Sequence, residues 1–405
     1  MSQQAIKPSG LPWPARALRR AFGALPWLQR VPSGWAVVML RLWAGQLAAA
    51  TAACRDLADR FPDRPDLAAR LGALLLAGGA PPAHALQLLN LALQAMPGDA
   101  YVRCWLAEAL SQTGDTAGGL RHLETGLMLR PDLPELWQVK GGLLLAQGRP
   151  AEALLYIDGA LAADPASGAL WNKRGLCLDE SGQWGAAAAA YRRACRLMPR
   201  DGAVWANLGL VLQKLGDSEE ALRCLRRAVT LRTPDPVLLN NVGFSLMAAG
   251  RAEEAIESYR QATGLDPDSV VTLGNLAGAL GALGRRTEAI GVLDAALEKA
   301  PGDPTLLNNK GHLLREQHQF RDALACFEAA LERKPDDDLL LANKAACHFA
   351  MGSYEQALTV YRLASLCQPA NREHLWSLGA CFERLGRADE ALDCYNQALG
   401  AERAS

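Results

Sequence analysis

Eight prolines of this 405-residue chain stand in one register with a period of 34 residues, and the one gap in the series falls on Thr233, beside Pro234. Proline lacks a backbone N–H and moves the preceding residue out of the α region, so each member of the series is expected to end a helix. A fixed period of this length predicts a repeat architecture, in which each unit packs only on its neighbours. The prolines are Pro97, Pro131, Pro165, Pro199, Pro267, Pro301, Pro335 and Pro369.

Further positions, counted here as offsets from the proline position, keep the same register. Offset 10 is Ala or Gly, offset 22 is Ala or Gly, and offset 26 is large and apolar, as in Tyr259 and Phe327. Small residues let two helices approach closely, and the large residue fills the space between them. Offset 17 is glycine, which can end a helix in the left-handed conformation, except at His318, where we expect modest strain. Each unit is therefore predicted to be two antiparallel helices of three to four turns, with Ser269 and Asp337 among the residues that can cap the next helix.

These columns resemble the tetratricopeptide repeat family. Trp205, Leu208 and Gly209 match its W-x-x-L-G opening, and Ala323 with Phe327 matches its A-x-x-x-F core. The resemblance implies an all-α, right-handed α-solenoid of about 10–11 helix-turn-helix repeats. We expect nine regular units over 100–405 that form one superhelical domain, degenerate repeats over 35–99, and a basic segment rich in Trp and Pro over 1–34 that caps the first repeat or is partly disordered.

Offset 8 holds asparagine in five consecutive repeats. The resemblance places this column on the concave wall, and it is similar to the repeat region of O-linked N-acetylglucosamine transferase, where such a ladder holds an extended polypeptide. An Asn amide offers an acceptor and two donors, which suits a ligand backbone. The alternative interpretation is that Asn is a common, harmless residue at this position. The predicted peptide-binding residues are Asn207, Asn241, Asn275, Asn309, Asn343, Asn240, Asn308, Phe244, Met247 and Arg315.

Other side chains carry weaker signals. Gln213 and His312 are further candidates for the inner wall, whereas Lys173, Lys214 and Arg315 are too dispersed to predict a clamp for a ligand's carboxylate. Trp105 and Trp376 in the outer repeats are hot-spot candidates, although apolar residues at helical spacing are more often core. Most of the ten cysteines recur at offsets 12 and 25, which favours small buried packing residues over metal or redox sites. Acidic residues are expected at solvated surface positions.

The overall charge is −1, which argues against a general nucleic-acid binder, but residues 1–60 carry eight basic and only two acidic side chains. No phosphate-binding, nucleophile-elbow or zinc-protease motif is present, so we expect no enzyme activity, no cofactor and no metal. No secretory signal pattern is visible, which predicts a cytoplasmic protein, and the Ala, Leu and Arg bias suggests a bacterial source.

The sequence thus predicts a scaffold or adaptor that binds an extended segment of a protein partner in its concave groove. Two alternatives stay open. One is a structural protein that self-associates through an uncapped C-terminal repeat, or that lies on a membrane surface through its basic N-terminus. The other is a non-catalytic targeting subunit of a separate enzyme, such as a glycosyltransferase.

Overall fold

The computed structural model describes residues 35–43, 46–232 and 235–400, which form helices only. The predictions made for residues 1–34 lie outside the described residues. The chain divides into two compact units, Met1–Arg232 and Thr233–Ser405. In the first unit the helices are α1 Trp35–Trp43, α2 Leu47–Arg60, α3 Pro65–Ala77, α4 Pro82–Ala95, α5 Ala100–Gln112, α6 Thr116–Leu129, α7 Pro134–Ala146, α8 Pro150–Ala163, α9 Gly168–Glu180, α10 Trp184–Leu197, α11 Gly202–Lys214 and α12 Ser218–Leu231. In the second unit they are α13 Pro236–Ala248, α14 Ala252–Leu265, α15 Val270–Ala282, α16 Arg286–Lys299, α17 Pro304–Glu316, α18 Phe320–Arg333, α19 Asp338–Ala350, α20 Tyr354–Cys367, α21 Arg372–Arg384 and α22 Ala388–Leu399.

Each regular repeat is a pair of antiparallel helices, and the predicted all-α solenoid is confirmed. The first helix has 13 residues and the second has 14, as in α13 and α14, except that the second helix of the last described repeat, α22, has 12. The turn between α3 and α4 has one more residue than the regular turns. The predicted caps also form, since the side chains of Ser269 and Asp337 accept hydrogen bonds from Thr272 N and Leu340 N.

The turn inside each repeat depends on the residue at offset 17. Gly250 and Gly284 have φ of 74° and 73°, the left-handed region that glycine adopts without steric cost. His318 occupies the same position with φ of 61° and is the one non-glycine residue with positive φ in the described part of the chain. The left-handed conformation predicted for this turn is therefore confirmed.

The core of each repeat is formed where the small residue at offset 10 contacts the large residue at offset 26. A Cβ atom placed on Gly243 would lie 2.5 Å from a ring carbon of Tyr259, which is 1% exposed. The same pairing recurs between Gly311 and Phe327, at 2.7 Å. The small and large columns therefore form one contact in which the ring lies directly on the helix backbone, as the sequence predicted.

Three tryptophans at offset 6 in the first unit each make the same kind of hydrogen bond. The indole N–H groups of Trp137, Trp171 and Trp205 donate to the proline carbonyl at offset 0, at 2.8, 3.0 and 3.1 Å. That carbonyl follows the end of a helix and needs a partner, so the tryptophan closes the turn between repeats.

Ion pairs also repeat between neighbouring units. A basic residue at offset 9 contacts an acidic residue at offset 27 of the preceding repeat, where the side chains are partly exposed. The pairs are Lys140–Glu124 (3.6 Å), Arg174–Asp158 (2.8 Å), Lys310–Asp294 (2.6 Å) and Lys344–Glu328 (2.9 Å). Each pair links the first helix of one repeat to the second helix of the repeat before it.

The cysteines at offset 12 pack in the core. Cys177, Cys347 and Cys381 are fully buried, and burial raises the pKa of the Cys177 thiol to about 12. Cys224 and Cys326 at offset 25 are buried too, whereas Cys394 in the last described repeat is half-buried. The predicted packing role is confirmed for the buried members of both columns, because their thiols lie among core side chains.

Candidate functional site

The candidate site is the side of the first helices that carries offsets 4, 7, 8, 11 and 14, here called the ladder face. These offsets follow the helical repeat, so their side chains share one side of each first helix. In the second unit the face contains Asn240, Asn241, Phe244 and Met247 on α13. Offsets 10 and 26 pack the hairpin on another side, so the ladder face is not needed to hold a repeat together.

The asparagines of the ladder face form hydrogen-bonded pairs between neighbouring repeats. Asn275 Nδ2 donates to Asn240 Oδ1 at 2.9 Å, and Asn343 Nδ2 donates to Asn308 Oδ1 at 2.9 Å. In each pair an offset-8 amide donates to an offset-7 amide 35 residues earlier. Asn207, in the first unit, donates in the same way to Asn172 at 3.2 Å. The ladder is therefore partly an internal network, which sequence reasoning about single positions did not predict.

The pairs alternate along the chain with a period of two repeats. Offset 7 is Asn at 172, 240 and 308, but it is Ala206, Gly274 and Ala342 in the repeats between them. A column search at offset 7 could have found this signal in the sequence. Consequently Asn309 follows a repeat with glycine at the acceptor position and has no pair of this kind.

The five predicted ladder residues differ in exposure. Asn207 and Asn241 are buried, with 2% and 7% of their surface exposed, whereas Asn275, Asn309 and Asn343 are half-buried. The Oδ1 atom of Asn207 is buried and accepts no hydrogen bond from the described residues. The half-buried amides of the second unit are thus the ones that a ligand can reach.

The other predicted site residues surround these amides. Phe244 is 37% exposed, and Met247 and Arg315 are half-buried. Arg315 Nη1 lies 3.4 Å from Asn343 Oδ1 and donates to it, so this guanidinium belongs to the amide network. His312 is exposed, with Nδ1 3.6 Å from a carboxylate oxygen of Glu316.

Helix α15 has glycine at three of the five ladder-face offsets, namely Gly274, Gly278 and Gly281 at offsets 7, 11 and 14. A Cβ on Gly278 would meet nothing within 4 Å, whereas a Cβ on Gly274 or Gly281 would lie 3.3 or 3.0 Å from a leucine carbon of α17. Each interior glycine costs a helix about 1 kcal/mol relative to alanine. The ladder face of α15 therefore exposes its backbone at Gly278, beside the side chain of Asn275.

In the first unit the ladder face contains charges that the sequence did not predict to be buried. The expectation that acidic residues occupy solvated positions is wrong for Glu135 and Asp179, which are 5% and 7% exposed. Periodicity alone gives no sign of charge at a buried position. Asp179 is paired with Lys214 at 2.5 Å, and burial lowers the pKa of Lys173 although the charge of Glu108 raises it.

The two tryptophans of the outer repeats behave differently. Trp105 is 3% exposed and belongs to the core of the first unit. Trp376 is 45% exposed, and its ring lies 4.8 Å from the ring of Tyr395, so it is a surface residue and not part of the core.

No group of three or more His, Cys, Asp or Glu residues in the described ranges is placed to hold a metal ion. None of the described helices combines the length and the hydropathy needed to cross a membrane.

Family models match most of the repeat region. The model described as the Cilia and flagella-associated protein 70 C-terminal domain matches residues 134–306. One tetratricopeptide repeat model matches 82–143 and 314–380, and a second matches 363–405. No curated protein matches the sequence significantly.

Solved structures of the same type are similar to this chain. The yeast protein Tom70 is 15% identical, with 96% of this chain and 92% of that chain covered and a TM-score of 0.47. The Pseudomonas aeruginosa protein PilF is 21% identical, with 51% and 95% covered and a TM-score of 0.44. YrrB, described as a TPR protein with an unusual peptide-binding site, is 19% identical, with 46% and 95% covered and a TM-score of 0.40. With the repeat columns, the helical hairpins and these family models together, the chain is a tetratricopeptide repeat protein.

Proposed function

We propose that this protein is an interaction scaffold that binds an extended polypeptide segment along the ladder face of its second unit. The observation that carries the proposal is the set of half-buried amides of Asn275, Asn309 and Asn343, which follow one another on α15, α17 and α19. Successive residues of an extended chain present alternating N–H and C=O groups, and amides spaced along such a chain can pair with them.

The pairing between asparagines supports binding because it fixes the amides in place. An Asn side chain has two donors and a carbonyl that can accept two bonds, so one internal bond leaves the remaining capacity for a ligand. Asn275 uses one donor for Asn240, and Asn343 uses one donor for Asn308. Amides that are already oriented lose less conformational entropy on binding than free ones.

The surroundings of the amides indicate what kind of segment would fit. Phe244 and Val271 present exposed apolar surface, and the open space at Gly278 on α15 lets a ligand backbone approach closely. On the α17 side, His312 and Arg315 provide polar contacts. The proposed ligand is an extended segment with an apolar side chain toward α13 and polar groups toward α17.

The test is binding by the full-length chain. A random-sequence peptide library is selected against the wild-type protein, and the recovered peptide is synthesised and titrated by calorimetry. Because each hydrogen bond contributes about 1 kcal/mol net, replacing Asn275, Asn309 and Asn343 by Ala together should weaken binding about 100-fold with helicity unchanged. The matched control is Asn90→Ala on the exposed side of α4, which should bind like the wild type. Equal affinity for the triple variant and the control would contradict the proposal.

Self-association is a second candidate, favoured by one observation. Leu392, at offset 23 of the last described repeat, is 59% exposed, whereas Ile256 and Leu358 at the same offset are buried against the next repeat. Sedimentation of the wild type and of Leu392→Glu distinguishes a self-associating protein from a monomer. A concentration-dependent dimer that the substitution abolishes would support it, and a monomer at every concentration would reject it.

A further inference from the structure

Two neighbouring second helices of the first unit, α10 and α12, concentrate arginine on their outer surface. The arginine patch, as named here, consists of Arg193 and Arg196 on α10 and Arg223 and Arg227 on α12, all of which are exposed. The first two are three residues apart and the last two are four apart, so each pair lies on one side of its helix. None of the four guanidinium groups forms an ion pair with the described residues, so the patch presents four cations to solvent.

An ion pair between the two helices shows that the two halves of the patch adjoin. Arg192 Nη2 on α10 lies 2.6 Å from Glu220 Oε2 on α12, and this hydrogen bond with Arg192 lowers the pKa of the Glu220 carboxyl. Arg196 follows Arg192 by about one turn, and Arg223 follows Glu220 by about one turn. The patch residues of both helices therefore lie beside this ion pair and form one surface.

The acidic residues of this region do not neutralise the patch. Helix α10 contains no acidic residue, and those of α12 are Glu219 and Glu220 in its first turn. Asp201 and Asp217, in the adjoining turns, accept hydrogen bonds from the backbone N–H groups of Ala203 and Glu220 and so cap the following helices. The patch therefore keeps an excess of positive charge, and a complementary partner is anionic.

The residues around the arginines restrict the kind of anion. Ala189, one turn before Arg193, and Thr230, one turn after Arg227, are exposed, and neither side chain can stack on a base or anchor in a lipid layer. Trp184 is exposed at the start of α10, but it precedes Arg193 by nine residues, or two and a half turns, and so lies on the opposite side of the helix. The surface therefore favours carboxylates, which pair with guanidinium groups in a bidentate geometry.

The size of the patch favours a short segment. The two arginines on each helix are separated by about 5–6 Å along its axis, and packed helices lie about 10 Å apart. Side chains on one face of an extended chain recur about every 7 Å, so three or four carboxylates within about six residues can reach the patch. A long polyanion or a membrane gains no attraction from the second unit, because residues 235–400 include 15 basic and 23 acidic side chains.

We propose that the arginine patch binds a short acidic segment of a separate polypeptide. A second copy of this chain fits less well, because its longest acidic run, residues 336–338, is already engaged. The Asp337 side chain accepts a hydrogen bond from Leu340 N, and Asp338 Oδ2 lies 3.0 Å from His374 Nε2. The patch lies on second helices and the ladder face on first helices, so this inference does not depend on the proposed function.

The test is fluorescence anisotropy of a labelled octaglutamate peptide with the full-length protein. Binding by the wild type should weaken at least about tenfold when the salt concentration is raised from about 50 mM to about 300 mM, because salt screens exposed charges. An octaglutamine peptide has the same length without the carboxylates, and it should bind at least about tenfold more weakly at the lower salt concentration.

Substitutions then locate the binding surface. Replacing Arg193, Arg196 and Arg227 by Ala should weaken octaglutamate binding at least about tenfold, with helicity unchanged because these side chains are exposed. Replacing the same three residues by Lys keeps the charge but removes the bidentate fork, so the affinity should fall between that of the wild type and that of the alanine variant.

A matched control removes the same net charge elsewhere on the chain and should bind octaglutamate like the wild type. It replaces three exposed arginines on α2, α18 and α21 by Ala, namely Arg55, Arg321 and Arg372. Equal affinity of the patch variant and this control would overturn the proposal, and so would equal binding of octaglutamate and octaglutamine by the wild type.

Three further measurements test the other occupants. Oligo(dT) and phosphatidylcholine vesicles that contain phosphatidylserine are titrated in the same buffer. If either binds more tightly than octaglutamate and loses affinity in the patch variant, the surface belongs to a nucleic acid or a membrane, and the proposal is wrong. Self-association in sedimentation that the patch variant abolishes would make the occupant a second copy and would also overturn it.

Discussion

Two glycines in the second unit are expected to respond in opposite directions to the same substitution. Gly243 and Gly278 both lie inside 13-residue first helices, where alanine is favoured over glycine by about 1 kcal/mol. Gly278 faces open space, so Gly278→Ala should stabilise the protein by about that amount. A Cβ on Gly243 would lie 2.5, 2.8 and 2.8 Å from three ring carbons of the buried Tyr259.

The clash at Gly243 exceeds the gain in helix propensity. Forcing an extra carbon into a packed core costs about 1–3 kcal/mol, and a planar ring on a helix backbone has little freedom to move away. The net effect of Gly243→Ala should be a loss of about 1–2 kcal/mol, so the two variants should differ by about 2–3 kcal/mol.

Urea unfolding followed by circular dichroism measures both variants against the wild type. The midpoint for Gly278→Ala should rise and that for Gly243→Ala should fall, with the slope unchanged. Midpoints that shift in the same direction would refute the reasoning, because they would show that the spacing between offset 10 and offset 26 does not limit the residue at offset 10.

Three further substitutions test the turns and the ion pairs. His318→Gly should stabilise the protein by up to about 1 kcal/mol, since a left-handed residue other than glycine costs about 1–2 kcal/mol and the added entropy of the unfolded chain with glycine offsets part of the gain. Gly352→His at the equivalent turn should destabilise the protein. Urea midpoints that move in the opposite directions would contradict this account. Lys310→Met should cost at most about 1 kcal/mol at neutral pH, as for other partly exposed pairs. The hydrogen bond to Asp294 raises the pKa of Lys310, so the stability that the pair contributes is complete below the ordinary lysine pKa and is lost as the pH rises through the higher folded value. The variant should therefore lose less stability than the wild type above about pH 10. Parallel pH profiles of the two proteins would exclude the pair as a source of stability.

Much of the fold was predictable because each structural constraint recurs at the same offset in several repeats. The proline at offset 0, the glycine at offset 17 and the contact between offsets 10 and 26 each appear in many copies, and the exceptional His318 was identifiable for that reason. The candidate site was less predictable. The asparagine column was visible, but its internal pairing depends on a second column at offset 7 that alternates between Asn240 and Gly274.

Burial of the ladder face in the first unit could not be predicted from the repeat. Leu176 and Phe244 stand at the same offset and have similar hydrophobicity, yet one is covered and the other is open. A periodic pattern describes which offsets contact neighbouring units, and it does not distinguish two residues at the same offset that differ in burial.

The alternation of the asparagines sets a rule for changing the length of the array. Removal of residues 301–334, one repeat, would bring Asn343 next to Gly274, and its amide would lose the acceptor that Asn308 provides. Removal of residues 267–334, two repeats, would bring Asn343 next to Asn240 and restore an equivalent bond. For this network the unit of insertion or deletion is therefore 68 residues, and an odd number of repeats added or lost would put donor and acceptor out of phase.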